Sequence, residues 1–299
     1  MLRNTVLWGA ILAAPFPLAA QAPPWADLWR IADGTLAQPG AVADAPTGAF
    51  WNPAGLAGLP GAAVAVEAFQ TPEVVNVRGV LMGAGVGLGS RVTLGLLAGR
   101  MSVGDLIRTT SSPVSVEGEI PVYSQFVGAV AAGGAGPLRA GVGVLLHDAR
   151  LDGLDEQGVT LDLGLRFTPL AGLVIGGATH LGNPLVSAGP ATEYLLGAEY
   201  GFGIPPVLGL DARLHGRYGA TIRDVGASEH LGSLGLLLGR SLLIDAGVIW
   251  AGGYGSGAWQ PVLGLSFRAG AYRVGITRGN GAGGTGGAFR VTLAVGTPP

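Results

Sequence analysis

The sequence predicts an all-β fold, a transmembrane antiparallel β-barrel of about fourteen strands with an N-terminal plug, and three observations predict it. Side chains alternate with period two through most of the chain. The chain is very apolar yet holds no run long enough for a spanning helix. Short and long connectors exchange regularly between the alternating segments.

Alternation is clearest at 159–167, where Val159, Leu161, Leu163, Leu165 and Phe167 oppose Thr160, Asp162, Gly164 and Arg166. Leu208, Leu210, Ala212, Leu214 and Tyr218 oppose Asp211, Arg213, His215 and Arg217. Tyr194, Leu196, Ala198, Tyr200 and Phe202 oppose Glu193, Gly197, Glu199 and Gly201, with Leu195 as the exception. Leu263, Leu265 and Phe267 oppose Gly264, Ser266 and Arg268; Phe289, Val291, Leu293 and Val295 oppose Arg290, Thr292 and Ala294. Period two marks a sheet with two unlike faces. A soluble sandwich alternates too, but here the polar faces are rich in glycine and arginine with no lysine, which suits a packed lumen better than bulk water. Aromatics cluster at strand ends, as in the girdles of membrane barrels: Phe167, Tyr200, Phe202, Tyr218, Trp250, Trp259 and Tyr272.

Only 12% of residues are charged, about half the usual share, while 48% are hydrophobic. Past the N-terminus no stretch of about 18 uninterrupted apolar residues occurs, so strands rather than helices must use that apolarity. A formal charge of −2 gives no reason to expect a nucleic-acid partner. The absence of cysteine excludes disulfides and thiolate metal sites. Residues 1–22 read as a signal peptide: Arg3, an apolar stretch from Val6 to Ala20, and the cleavage pattern Ala20-Gln21-Ala22.

The strands fall near 62–69, 74–86, 91–103, 121–133, 138–147, 159–167, 173–181, 191–202, 207–218, 230–238, 242–250, 259–268, 272–277 and 288–295. Short connectors lie at 87–90, 134–137, 168–172, 203–206, 239–241 and 269–271. Longer ones lie at 104–120, 148–158, 182–190, 219–229, 251–258 and 278–287; only the first connector, near Gln70–Glu73, is short where a long one is due. Short turns on one side and longer loops on the other are the pattern of outer-membrane barrels, and the even strand number agrees. The barrel therefore spans 62–299.

Residues 23–61 break this pattern. Trp25, Leu28, Trp29 and Ile31 suit a short amphipathic turn, and glycines and prolines interrupt the chain from Gly34 onward. The apolar residues of Gly48 to Ala57 are consecutive, so no strand puts them on one face. Pro53 biases Asn52 away from the helical region, while Ala54 and Gly55 are small enough for close packing. The segment is either a loop before the first strand or a plug at the barrel entrance.

Ala49-Phe50-Trp51-Asn52-Pro53-Ala54-Gly55-Leu56-Ala57 resembles the signature of the FadL superfamily of outer-membrane barrels, and the upstream run Gly40 to Ala45 is similar to the small-residue and Asp run on its N-terminal side there. That superfamily holds long-chain fatty acid and hydrocarbon transporters and also PorV/PorQ-type barrels of type IX secretion. The resemblance implies a hatch over 23–61, with Asn52, Pro53, Ala54 and Gly55 as its gating residues. It implies residence in the outer membrane of a diderm bacterium, with the lipid bilayer and the barrel-assembly machinery as partners. The cargo is then a hydrophobic small molecule such as a long-chain fatty acid; the alternative is a barrel serving secreted proteins, which the short loops favour.

No enzyme motif stands out, and no cofactor is called for. His147, His180, His215 and His230 lack zinc spacing, so no metal site is expected. Asp152, Asp155 and Glu156 read as solvated loop charge rather than a calcium site. The polar face holds Arg139, Arg166, Arg213, Arg217, Arg268, Arg273 and Arg290 beside Asp162, Glu193, Glu199, Asp211 and Asp245. Cross-strand ion pairing is the plainer reading, since buried charge must be paired. The functional one makes Arg166, Arg213, Arg217, His215, Arg268 and Arg290 contacts for a ligand carboxylate, which guanidinium grips bidentately. Val103, Leu106, Ile107, Val114 and Ile120 are candidates to line an apolar pocket in the third connector. The C-terminus, Val295 to Pro299, lacks the aromatic residue with which barrel-assembly signals usually end.

Overall fold

The alternating segments form β1 (Ala62–Gln70), β2 (Val77–Leu88), β3 (Val92–Val103), β4 (Val122–Ala135), β5 (Leu138–Leu151), β6 (Leu154–Leu170), β7 (Leu173–Gly182), β8 (Glu193–Val207), β9 (Leu210–Arg223), β10 (Glu229–Leu238), β11 (Leu242–Ala251), β12 (Ala258–Ala269), β13 (Tyr272–Asn280) and β14 (Gly287–Gly296). In this computed structural model every strand pairs antiparallel with its sequence neighbours, and β1 pairs with β14 to close a fourteen-stranded barrel. Closure removes the unpaired edges that an open sheet would present. The structure describes residues 28–44, 46–73, 75–89, 91–106, 120–182, 192–223, 228–251, 258–280 and 287–296. Residues 1–22, Trp25, Ile107 and Val114 lie outside them.

The two faces separate as alternation requires. Leu161, Leu163, Leu165 and Phe167 of β6 are exposed outward, as are Leu263, Leu265 and Phe267 of β12. Their neighbours Thr160 and Asp162 are buried inward. An apolar outer belt over a polar, filled interior is the inside-out arrangement that a bilayer demands of a closed barrel.

Several boundaries differ from the sequence expectation. Residues 148–158 are not a loop: β5 and β6 continue to a tight turn at Asp152-Gly153, with Asp152 in the left-handed region at φ 54°. Asp tolerates that conformation better than most residues, and Arg150 ties the turn by donating from Nε to the Asp152 carbonyl at 2.9 Å. Residues 168–170 and 203–207 are strand rather than turn, and the register shifts there, between Phe167 and Leu170 and between Ile204 and Val207. Pro169, Pro205 and Pro206 lack the N–H that regular pairing needs. The β8–β9 turn is instead Leu208-Gly209, both at positive φ. Finally, β9 runs on to Arg223 instead of stopping at Tyr218.

The N-terminal segment lies inside the wall. It comprises α1 (Leu28–Asp33) and 3-10 turns at Gly40–Val42, Thr47–Phe50 and Pro53–Leu56. Leu28, Ala32, Phe50, Trp51 and Leu56 share one buried cluster with Leu81, Met101, Phe126 and Leu145, which point inward from β2, β3, β4 and β5. Leu195, the exception to alternation in β8, belongs to this cluster: it faces inward because the segment supplies an apolar partner. Burial against the segment thus overrides the polar preference of the inner face.

Candidate functional site

Asn52 holds the segment to the wall. Its backbone is extended (φ −147°, ψ 106°), as the following proline requires, and its Oδ1 accepts from Ala54 N at 3.0 Å to cap the turn Pro53–Leu56. Its Nδ2 donates to Ala41 O at 2.5 Å and to Leu165 O of β6 at 3.2 Å. The side chain is fully buried. Pro53 and Ala54 press on the wall where it has no side chains: a Cβ at Gly141 would overlap their backbone, and one at Gly164 would overlap Asn52 Oδ1. Gly55 packs equally closely on Ala43 O within the segment. The four residues Asn52, Pro53, Ala54 and Gly55 therefore meet β5, β6 and the segment's own upstream turn.

Toward the end of the barrel that carries the longer connectors, the loop end, aromatic rings fill the lumen. Phe50 stacks on Phe126 at 4.7 Å between centroids, and Trp51 meets Phe50 edge-on at 4.6 Å. Trp29 lies 5.1 Å from Phe50 and 5.0 Å from Phe126, and its Nε1 donates to Ser124 Oγ at 3.2 Å. Such ring pairs contribute beyond their buried area, by about 0.5–1.5 kcal/mol each. Val103 and Ile120 pack against this cluster, whereas Leu106 is exposed.

Ion pairs join the wall strands to one another and to the segment. Arg217 binds Glu199 and Asp245, both at 2.5 Å, and His215 Nδ1 lies 3.1 Å from the same Glu199. Arg290 pairs with Glu67 of β1, whose Oε1 accepts from Thr47 Oγ1 of the segment at 2.8 Å. Arg223 binds Glu193 at 2.5 Å, Glu229 at 3.2 Å and Asp33 of α1 at 2.9 Å. Three carboxylates share that guanidinium. Burial pushes the Asp33 carboxyl up to about 8; Arg223 opposes the rise, and Glu193 and Glu229 add to it.

The six expected ligand contacts thus divide. Arg217, His215 and Arg290 are engaged with carboxylates, which is the cross-strand pairing. Arg166 is half-buried and reaches Ala43 O at 3.4 Å, while Arg268 and Arg213 are exposed toward the short-turn end. Arg166, His215, Arg217 and Arg268 line one cavity of about 220 Å³ with Arg240 and Arg273; Arg213 and Arg290 are not part of it.

Sequence reasoning missed Arg223, Glu67 and Asp33. Continuing the period of β9 past Arg217 by three more alternations reaches Arg223, and Glu67 is the one charge between Val66 and Ala68, so both were signalled. Nothing local signals that Asp33 meets a strand 190 residues away.

No protein-family model matches the sequence, and no curated protein matches it. Solved structures do match by shape. The TodX monoaromatic hydrocarbon channel, as a deltaS2 mutant, aligns with 85% of this chain and 94% of its own at 10% identity and a TM-score of 0.51. The outer membrane protein Omp33 of Acinetobacter baumannii aligns with 79% of this chain and 97% of its own at 8% identity and a TM-score of 0.49. The likeness is one of fold: this chain folds as the barrels of outer membranes do.

Proposed function

We propose that the protein is a plugged outer-membrane channel for hydrophobic small molecules, with residues 23–61 as its hatch. The observation that carries this reading is the lumen itself. A strand barrel with an apolar outer belt is filled by its own N-terminal segment, and the core of that filling is the aromatic cluster of Trp29, Phe50, Trp51 and Phe126. Such a cluster offers an apolar molecule contacts that a water-filled pore does not. Passage then requires the segment to shift, with Asn52 and Pro53 holding the closed geometry. No bond is made or broken, so no residue is assigned a catalytic role. Arg166 and Arg268 line the cavity near the short turns together with Arg240 and Arg273, and this basic group would meet a polar headgroup. The resemblance of the stretch Ala49 to Ala57 to the FadL signature supports the same reading. The secretion-barrel alternative draws no support from the structures compared.

The test compares wild type with a deletion of 28–57 in planar bilayers and in uptake by whole cells, with folding checked by heat-modifiable migration. The deletion should conduct ions far better than wild type, and wild type should speed entry of a hydrophobic probe such as toluene or oleate. A folded deletion that conducts no better than wild type, or a wild type that moves neither probe, overturns the reading.

A further inference from the structure

The outer surface of β2–β6 carries a feature that transport does not use. Met82, Ala98, Val127, Leu146 and Val159 are register partners across five adjacent strands and form one outward row. Met82, Val127 and Leu146 are about half exposed. Ala98 is the smallest side chain in the row, so the row has a notch between Met82 and Val127. A groove of about 780 Å³ lies there.

The next row toward the loop end is polar. Arg100, Gln125 and Asp148 are register partners on β3, β4 and β5. Gln125 Nε2 donates to Asp148 Oδ2 at 2.8 Å, and Gln125 Oε1 accepts from Arg100 at 2.6 Å. The Arg100 guanidinium is stacked 4.3 Å from the centre of the Tyr123 ring. It is therefore held in place by an amide and a ring, and no ion pair neutralises it among the described residues. Arg78 stands diagonally beside it: Arg78 is the partner of Ser102 and Arg100 the partner of Val80. Both arginines are exposed. On the far side of the barrel the loop ends of β10, β11 and β12 are aromatic instead, with His230, Trp250 and Trp259 in one row. Two outward arginines directly above an apolar notch are thus a local departure from the aromatic rim.

The geometry points to a lipid site on this face: a phosphorylated glycolipid of the outer leaflet, with an acyl chain in the Ala98 notch and a phosphate on Arg100 and Arg78. Guanidinium matches phosphate in charge and in bidentate geometry, and basic residues at the bilayer surface bind anionic headgroups. The notch lies on the membrane side of the arginines, which is the order of chain and headgroup in a lipid. The site needs the loop end to face the cell exterior, but it does not depend on the hatch or its cargo.

Native mass spectrometry of the full-length protein tests this, with bis-phosphorylated lipid A, its dephosphorylated form and phosphatidylglycerol as probes. The bis-phosphorylated form should bind at least about tenfold more tightly than either other probe. R78E/R100E should erase that preference while migration stays heat-modifiable. A98F should weaken retention by filling the notch, and W259A on the opposite rim should change nothing. Deleting 28–57 should also leave the preference intact, so a failed transport assay and a failed lipid assay are separate results. Equal binding of the three probes, or a preference that survives R78E/R100E, overturns the site. So does a two-copy complex that R78E/R100E dissociates, which would give the surface to a second copy of this chain.

Discussion

Asn52 and Leu165 are 113 residues apart in the chain and are joined by a hydrogen bond of 3.2 Å, from the Asn52 Nδ2 to the Leu165 carbonyl. The same side chain donates to Ala41 and accepts from Ala54. One amide thus fixes the internal fold of the segment and its seat on the wall. These two tasks fail together when it is removed.

Asn52→Ala should leave the barrel assembled, because every strand pair lies elsewhere. It strips partners from the buried Ala54 N–H and from the carbonyls of Ala41 and Leu165, at about 1–3 kcal/mol for each group left unpaired. Hydrogen exchange should quicken across 40–57 and channel noise should rise. Asn52→Asp should fare no better, since it keeps the cap on Ala54 but faces two carbonyls with a carboxylate. Unchanged exchange in both variants would show that Asn52 does not anchor the segment.

Gly164→Val separates wall from segment. Valine favours a strand, so the wall itself gains or holds steady. Its side chain would occupy the place of Asn52 Oδ1, so the segment must move. Heat-modifiable migration should persist while protease cleavage within 28–57 increases. A protected segment in this variant would contradict the close approach.

Leu163→Arg places a charge near the middle of the outer belt and should cost about 2–4 kcal/mol in a lipid-based unfolding assay. Leu170→Arg, at the short-turn end of the same strand, should cost about 0–1 kcal/mol. Both leucines are exposed on the outer surface, so depth in the bilayer is what distinguishes them. Equal costs would mean that the belt does not span a membrane.

The Asp33 carboxyl titrates near 8 in the folded protein against about 3.9 in an unfolded chain. Its folded value is raised, so its contribution is complete below about pH 4 and is lost as pH rises toward and through 8. In that window the docked segment binds the extra proton. Docking of α1, followed by fluorescence of its Trp29, should therefore weaken as pH rises from about 4 to about 8 and change little above that. Asp33→Asn should flatten this dependence and keep the amide within reach of Arg223. A profile that is the same with and without Asp33 would assign the dependence to other groups.

The barrel was legible because alternation is a direct image of strand geometry. Every outward row of β6, β12 and β14 derives from it. What alternation could not show was where pairing stops. Asp152-Gly153 was hidden inside a polar stretch that reads as loop, and Pro205-Pro206 reads as a turn although the strand absorbs both in a register shift. The segment was legible only in part. Pro53 fixes the extended backbone of Asn52, but the carbonyls of Ala41 and Leu165 to which its amide donates come from elsewhere in the chain and leave no local mark. The same holds for charge: sequence gives the inward side of Arg217 and Arg290, while only the closed ring brings Glu67 of the first strand beside Arg290 of the last.

The β5–β6 hairpin carries a practical consequence. A strand of 17 residues rises about 40 Å along a barrel axis at the usual tilt, against an apolar band of about 25 Å. The Asp152-Gly153 turn therefore stands clear of the headgroups as a stiff, hydrogen-bonded ridge rather than a loose loop. In the proposed orientation it is open to an antibody or a phage tail fibre on an intact cell. A short peptide inserted between Asp152 and Gly153 would be displayed on the cell surface, with the lumen undisturbed beneath it.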